Sequence, residues 1–419
     1  MSEPRRTGRA SAPDSITPAG TQAAVARARL ILARQDRIPV WSLPGVFLLI
    51  IGVGYFFTFF DIADIGYAMP AISKQFALSN GESTFVALAV GLIGYAVGSM
   101  LIGSLSDRFF LTGMGVGADL NLVSTYLGEL APAGKRGRIT TLTFLLGIIG
   151  QAVTPFVALA LVPNYSFGWR ILFIVGGVIA TVGFAARFEL PESPRWLAVH
   201  GRLDEADAIV TRMEETARAK GVQLGQPRPA DVSLLRDNIP FRSLLVPPYL
   251  GRLALLMAMW FFWYIGNYGF LGDAATLFSA HGQPIGNSIL YLGIGAIGYP
   301  VGAITMAVLA DRIERRLLIF ASTLVWLAGM IVVGTLASEA ALTVGSFLAS
   351  LALGLYLQVA YTYTAESFPT RARASGFALS DGLGHGGGAL GALVLPTVVA
   401  SFSFFAGFAA IGVTGPLPA

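Results

Sequence analysis

The chain has 419 residues, 54% hydrophobic and only 12% charged, with a mean hydropathy of +0.68 and a net charge of +4. No soluble domain can hide that much apolar surface, so the composition implies an integral membrane protein, and the modest positive charge fits loop topology rather than nucleic-acid binding. Zero cysteines exclude disulfides and thiolate chemistry, and three histidines (His200, His281 and His385) argue against a metal centre, so neither metal nor cofactor is expected.

Residues 1–45 are polar, rich in Ala and Pro, and carry seven arginines, which reads as a disordered cytoplasmic tail. The first apolar run starts too late and is too long for a cleaved signal peptide. Apolar runs predict membrane helices over about 46–69, 85–103, 110–129, 140–162 and 171–188, which together make an N-terminal bundle over 46–190. A polar loop over 191–250 follows. In it Leu203, Ala206, Ile209, Val210 and Met213 recur at helical spacing, so it contains an amphipathic helix. A second bundle over 251–419 is predicted from runs at 253–271, 289–310, 317–337, 342–365 and 374–400. A last run over 402–413 is short for a span and reads as a truncated helix. Of 28 lysines and arginines, only Lys74 and Arg170 fall on the side that this layout makes external. That is a strong positive-inside pattern with a cytoplasmic N-terminus.

Two motifs occur twice, in the same order. Gly103-Ser-Leu-Ser-Asp107-Arg108 is matched by Ala307-Val-Leu-Ala-Asp311-Arg312. The stretch from Tyr126 through Glu129 and Pro132 to Arg136 and Arg138 is matched by that from Tyr363 through Glu366 and Pro369 to Arg371 and Arg373. Such a parallel repeat of hydrophobic helices is one way transporters are built. On these motifs, and on Pro191-Glu-Ser-Pro-Arg-Trp-Leu197 at the end of the first bundle, the chain resembles the major facilitator superfamily. Its closest look is to the sugar-porter and organic-acid–proton symporter branches. The resemblance covers nearly all residues from about Val46 onward and implies an all-α membrane fold of two pseudo-repeated helix bundles.

The repeat is uneven. Glu366 follows Asp311 by 55 residues, whereas Glu129 follows Asp107 by only 22, a deficit of 33. That is about one span and its turn, so the family's third helix has no counterpart near 108–110 and about 11 membrane helices are expected instead of 12.

Asp61 and Asp64 lie three apart in Phe59-Phe-Asp-Ile-Ala-Asp-Ile-Gly66, which puts both carboxylates on one helical face. Charges in hydrocarbon are expensive and usually functional, and neighbouring carboxylates raise each other's proton affinity. Proton coupling is the favoured reading, and a polar pair near the outer headgroups is the alternative. The organic-acid symporters resembled here carry Asp-Gly-x-Asp at this place, while this chain has Asp-Ile-Ala-Asp. Asp119 and Asn121 are cavity candidates in the segment before Glu129, and the alternative is that the missing helix removes that placement. Asp381 and His385, four apart, would share a helical face and suit anion binding, proton relay or a structural hydrogen bond. Trp260, Trp263, Tyr264 and Asn267 follow helical spacing and suit a small aromatic or sugar-like ligand, with an interfacial belt as the alternative, best for Tyr268. Gln151, Tyr291, Gln358 and Tyr361 are further cavity candidates, with a polar residue that only packs as the alternative for each.

The resemblance implies a cytoplasmic gate made of Asp107, Arg108, Glu129, Arg136 and Arg138 in one half, and Asp311, Arg312, Glu366, Arg371 and Arg373 in the other. Charge-assisted bonds at helix ends can break and reform there as one half rocks against the other. No phosphate loop or catalytic triad is present, so an enzyme is not expected. The sequence reading is a monomeric, multi-pass protein of the inner membrane that imports a small organic solute, an organic or aromatic acid ahead of a sugar, with protons. The competing reading is a non-transporting deletion product of such a protein.

Overall fold

The computed structural model describes residues 18–79, 82–83, 126–127, 129–132, 136–227, 241–310, 312–335, 338–368 and 373–417. The chain divides into two compact units, one drawn from residues 1–42 and 192–233, the other from 43–191 and 234–419.

In the smaller unit, α1 (Pro18–Asp36) packs on α6 (Leu203–Ala219), with the short α5 (Pro194–Val199) beside both. Helix α1 lies in the stretch whose composition reads as a disordered tail. Its Ala-rich sequence has good helix propensity, but in proteins most helical stability comes from tertiary packing. What holds it is nonlocal. Ile31 packs with Leu197, Ala206 and Val210, and Trp196, Leu203 and Ile209 cover the cluster. Arg34 donates from Nε and Nη2 to the two oxygens of Glu214 at 3.0 and 3.1 Å, and to Thr211 Oγ1 at 2.8 Å, and it also bonds Asp207. Arg37 donates to Glu214 Oε1 at 2.6 Å, Arg27 pairs with Asp204 at 2.7 Å, and Arg195 pairs with Asp36. These partners are some 160–190 positions apart in the chain, a pairing that no local pattern announces.

The larger unit is all helical among the described residues. Its elements are α2 (Gly45–Phe76), α3 (Arg136–Leu161), α4 (Gly168–Arg187), α7 (Tyr249–Ala280), α8 (Ile285–Ala296), α9 (Gly298–Leu309), α10 (Arg315–Thr335), α11 (Glu339–Glu366), α12 (Arg373–Ser401) and α13 (Phe404–Thr414). Among the described residues, seven stretches are long and apolar enough to cross a membrane, α8 and α9 together making one of 25 residues. The helices expected over 85–103 and most of 110–129, and the question of a missing span near 108–110, lie outside the described residues.

Glycine sets how closely these helices approach. A Cβ at Gly387 or Gly391 of α12 would meet the Phe261 or Ile265 carbonyl oxygen of α7 at 2.0 or 1.9 Å. In lipid, helix association relies on such backbone contact, because tails are as apolar as the side chains. The two sequence halves meet where α2 packs on α7 and α3 on α8, α9 and α11.

Candidate substrate and proton site

Helix α2 brings Asp61 and Asp64 to different environments. Asp61 is exposed, whereas Asp64, one turn on, is only 2% exposed, with an Oδ2 that is buried and has no hydrogen-bond partner. The expected shared face is therefore split at the bundle surface. Across from Asp64 stands Gly176 of α4, where an added Cβ would come to 3.5 Å of Oδ2. Two residues past Asp64, Gly66 lies against α7, and a Cβ there would sit 2.2 Å from the Leu271 carbonyl oxygen. The turn of α2 that carries Asp64 is thus also the turn that touches the other half.

Helix α7 supplies a wall of rings. Trp260, Trp263, Tyr264 and Asn267 are all buried, and so is Tyr268, which removes it from an interfacial belt. Trp263 stacks on Tyr356 of α11 at 3.7 Å between centroids and 12° between planes. Trp260 stacks on Tyr264 at 5.3 Å, lies 4.9 Å from Tyr361, and donates its Nε1 hydrogen to Thr364 Oγ1 at 3.0 Å. Tyr361 continues the chain of rings to Phe144 of α3, which meets Tyr55 and Phe59 of α2 edge to face. An aromatic path therefore runs from one half to the other. Tyr356 and Phe144 belong to it, and Thr364 is tied to it through Trp260; none of the three is among the sequence candidates. For Tyr356 the signal was present, since it shares α11 with Gln358 and Tyr361.

Tyr264 also donates its hydroxyl hydrogen to Asp381 Oδ1 at 2.6 Å, and its ring lies 4.1 Å from that of His385. Asp381 and His385, one turn apart on α12, are buried together. Gln151 is buried on α3, where Tyr299 of α9 reaches both it and Ser350 of α11. Tyr299 was not anticipated, because a lone tyrosine in an apolar run carries no periodic signal. Gln358 has a buried Nε2 without a hydrogen-bond partner, and so does Trp263 at Nε1. Tyr291 departs from the expected cavity. Its hydroxyl turns to Gln283 in the α7–α8 connection, 3.3 Å away, and it joins none of the described ring contacts of the α7 cluster.

At the proposed gate, Arg312 is exposed and lines an open cleft with Arg315, Arg316, Tyr363 and Glu366. Glu366 pairs with Arg315, at 2.9 Å, a residue the motif reading did not select. Glu129 is partly buried, next to Leu130, while Tyr126 donates to the Pro191 carbonyl oxygen at 2.6 Å. Asp107, Arg108, Asp119, Asn121, Asp311 and Arg371 lie outside the described residues, as do the side chains of Arg136, Arg138 and Arg373.

Residues 110–414 match the model of the family described as "Sugar (and other) transporter". The chain belongs to that family. This transporter is 27% identical over 413 residues to the putative metabolite transport protein YyaJ of Bacillus subtilis, covering 90% of this chain and 91% of the relative. It is 26% identical over 414 residues to the niacin transporter NiaP of Acinetobacter baylyi, covering 90% of this chain and 92% of the relative. Its fold is similar to that of the xylose transporter XylE from E. coli in a partially occluded inward-open conformation, with a TM-score of 0.68 at 18% identity, covering 88% of this chain and 96% of that one. The family and the fold are those of transporters of the major facilitator superfamily, not of enzymes. The transporter is a multi-pass membrane protein.

Proposed function

We propose that this transporter imports a small organic acid together with protons, by alternating access, working as a monomer in the inner membrane with its N-terminus in the cytoplasm. The observation that carries the reading is Asp64, a carboxylate at 2% exposure in a membrane-spanning helix, one oxygen of which has no hydrogen-bond partner. Such a group is costly as a permanent anion, and carrying a proton through the occluded stage removes that cost. Asp61, exposed and one turn away, is the group through which that proton would exchange with water. Asp64 adjoins the Gly66 contact between halves, so a change in its charge acts where the halves must part.

The choice of an aromatic acid is supported by the ring wall and by the two buried donors, Trp263 Nε1 and Gln358 Nε2, on the helices that build it. Rings bury a flat ligand, and unsatisfied donors favour a ligand rich in acceptor oxygens. Niacin, a flat ring acid named for one relative, has that chemistry. The sugar reading is supported by the likeness to a xylose transporter and the family's name. The deletion-product reading is favoured by the 33-residue shortfall between the two motif pairs.

The test is uptake of labelled niacin and, separately, labelled xylose into vesicles holding the full chain, with and without an inward proton gradient. Gradient-driven niacin accumulation is expected. Xylose accumulation instead would select the sugar reading. No uptake of either probe, with the protein folded and inserted, would favour the non-transporting reading.

A further inference from the structure

We propose that Asp381, His385 and Tyr264 form a second proton-binding site, in the C-terminal half, distinct from the Asp61–Asp64 pair. This rests on reading the chain as a proton-coupled transporter, and it adds a site where the sequence reading left anion binding, relay and structure equally open.

Asp381 and His385 are 0% and 1% exposed. The carboxylate accepts the Tyr264 hydroxyl hydrogen at Oδ1, 2.6 Å away, and its Oδ2 lies 3.8 Å from His385 Nδ1. That nitrogen is also 2.8 Å from the Asp381 carbonyl oxygen. A carbonyl only accepts, so Nδ1 carries the hydrogen, and Nε2 is the basic nitrogen of the neutral ring.

The proton balance of the pair follows. With one exchangeable proton it is neutral overall, either as carboxylic acid with imidazole or as carboxylate with imidazolium. Removing that proton leaves a net negative charge, and adding another leaves a net positive one, each at less than 2% exposure. Either charged state is expensive in a dry interior, so proton exchange belongs to a stage at which water reaches the site. Among the ionisable groups that face the pair are Tyr264 and Tyr268 from α7, and Tyr356 and Tyr361 from α11, all within electrostatic reach. These stay neutral at ordinary pH. The same rings form the wall proposed to hold substrate, so protonation and occupancy would be read by one set of side chains.

Infrared difference spectroscopy during a pH titration of the full chain in lipid nanodiscs, with no substrate present, tests this. The wild type should show a titrating carboxyl stretch that Asp381→Asn removes. His385→Gln should move its midpoint by at least one pH unit, a tenfold change in proton affinity. Tyr264→Phe keeps both titrating groups and the ring, so it decides the matter even if the other variants fail to fold, and it should also move the midpoint. An Asp381→Asn spectrum that superimposes on the wild type, or a midpoint unmoved by either neighbour's replacement, would overturn the site. The titration reads no transport, so its failure leaves the niacin and xylose uptake result standing, and the reverse holds too.

Discussion

Two carboxylates in this chain are about equally hidden, Glu214 at 3% and Asp64 at 2% exposure, and they are treated oppositely. Glu214 receives Arg34 through both oxygens and Arg37 through one, with Arg218 at 3.6 Å. Asp64 stands in an apolar helix with an oxygen that has no hydrogen-bond partner. Burial pushes the Glu214 carboxyl up, but the hydrogen bonds from Arg34 and Arg37 outweigh it and hold the group below its ordinary range. A buried acid with fixed cations is a fastener, since its charge never needs to change. A buried acid without them is an unstable anion, which a proton carrier must be. Burial alone does not distinguish the two.

The largest expected effect breaks the comparison at Asp64. Asp64→Asn should abolish gradient-driven accumulation in vesicles, at least tenfold, while thermal unfolding moves by no more than about 1 kcal/mol, because the amide fills the same space without a charge to place. Asp61→Asn, at an exposed position, should slow uptake less. Accumulation that survives in Asp64→Asn would remove the coupling role.

Glu214→Gln should do the reverse. It leaves Arg34 and Arg37 short of their shared anion and should destabilise the α1–α6 pairing by about 3 kcal/mol, read as faster amide exchange in α1, with transport reduced only so far as that unit is needed. The same contact has a pH signature. The folded-state value of Glu214 is depressed, so its contribution is fully present above the unfolded glutamate range and is lost as pH falls through the folded value. Amide protection in α1 should fall on acidification, and in Glu214→Gln that component of the acid response should disappear.

Gly66→Ala sharpens the link between coupling and the half-to-half contact. The new methyl has only 2.2 Å to the Leu271 carbonyl oxygen, so α2 and α7 must separate, at about 2 kcal/mol of overpacking. The expected readouts are a lower unfolding temperature and a shift of inward against outward accessibility, measured by labelling introduced cysteines, for which the chain offers no native background. The smallest effect is at the gate. Arg315→Ala removes the pair with Glu366, whose side chains are 34% and 52% exposed, so stability should change by less than about 1 kcal/mol. If the pair gates transport, the uptake rate should fall while substrate affinity holds.

The membrane character, the helix content and the seven spans found among the described residues were legible in the sequence, because a bilayer demands long apolar runs and self-satisfied backbone hydrogen bonds. The Trp260–Asn267 face was legible too, since helical spacing alone puts those residues together. The order of α1 was not. It depends on Glu214 and Asp207, far along the chain, and the local Ala- and Arg-rich composition does not reveal a partner. Equally hidden was the split between Asp61 and Asp64. Spacing of three gives one face, but which side of that face another helix covers is fixed by how α4 and α7 pack on α2. The meeting of Tyr264 with Asp381 and His385 is of the same kind. Glycines at 387 and 391 let α12 lie against α7 backbone to backbone, and only that approach carries a hydroxyl to within 2.6 Å of a carboxylate 117 residues away. Sequence determined which segments enter the membrane and which chemistry they carry. Tertiary structure decided which charges are paired there, because pairing depends on distances between segments that no local pattern records.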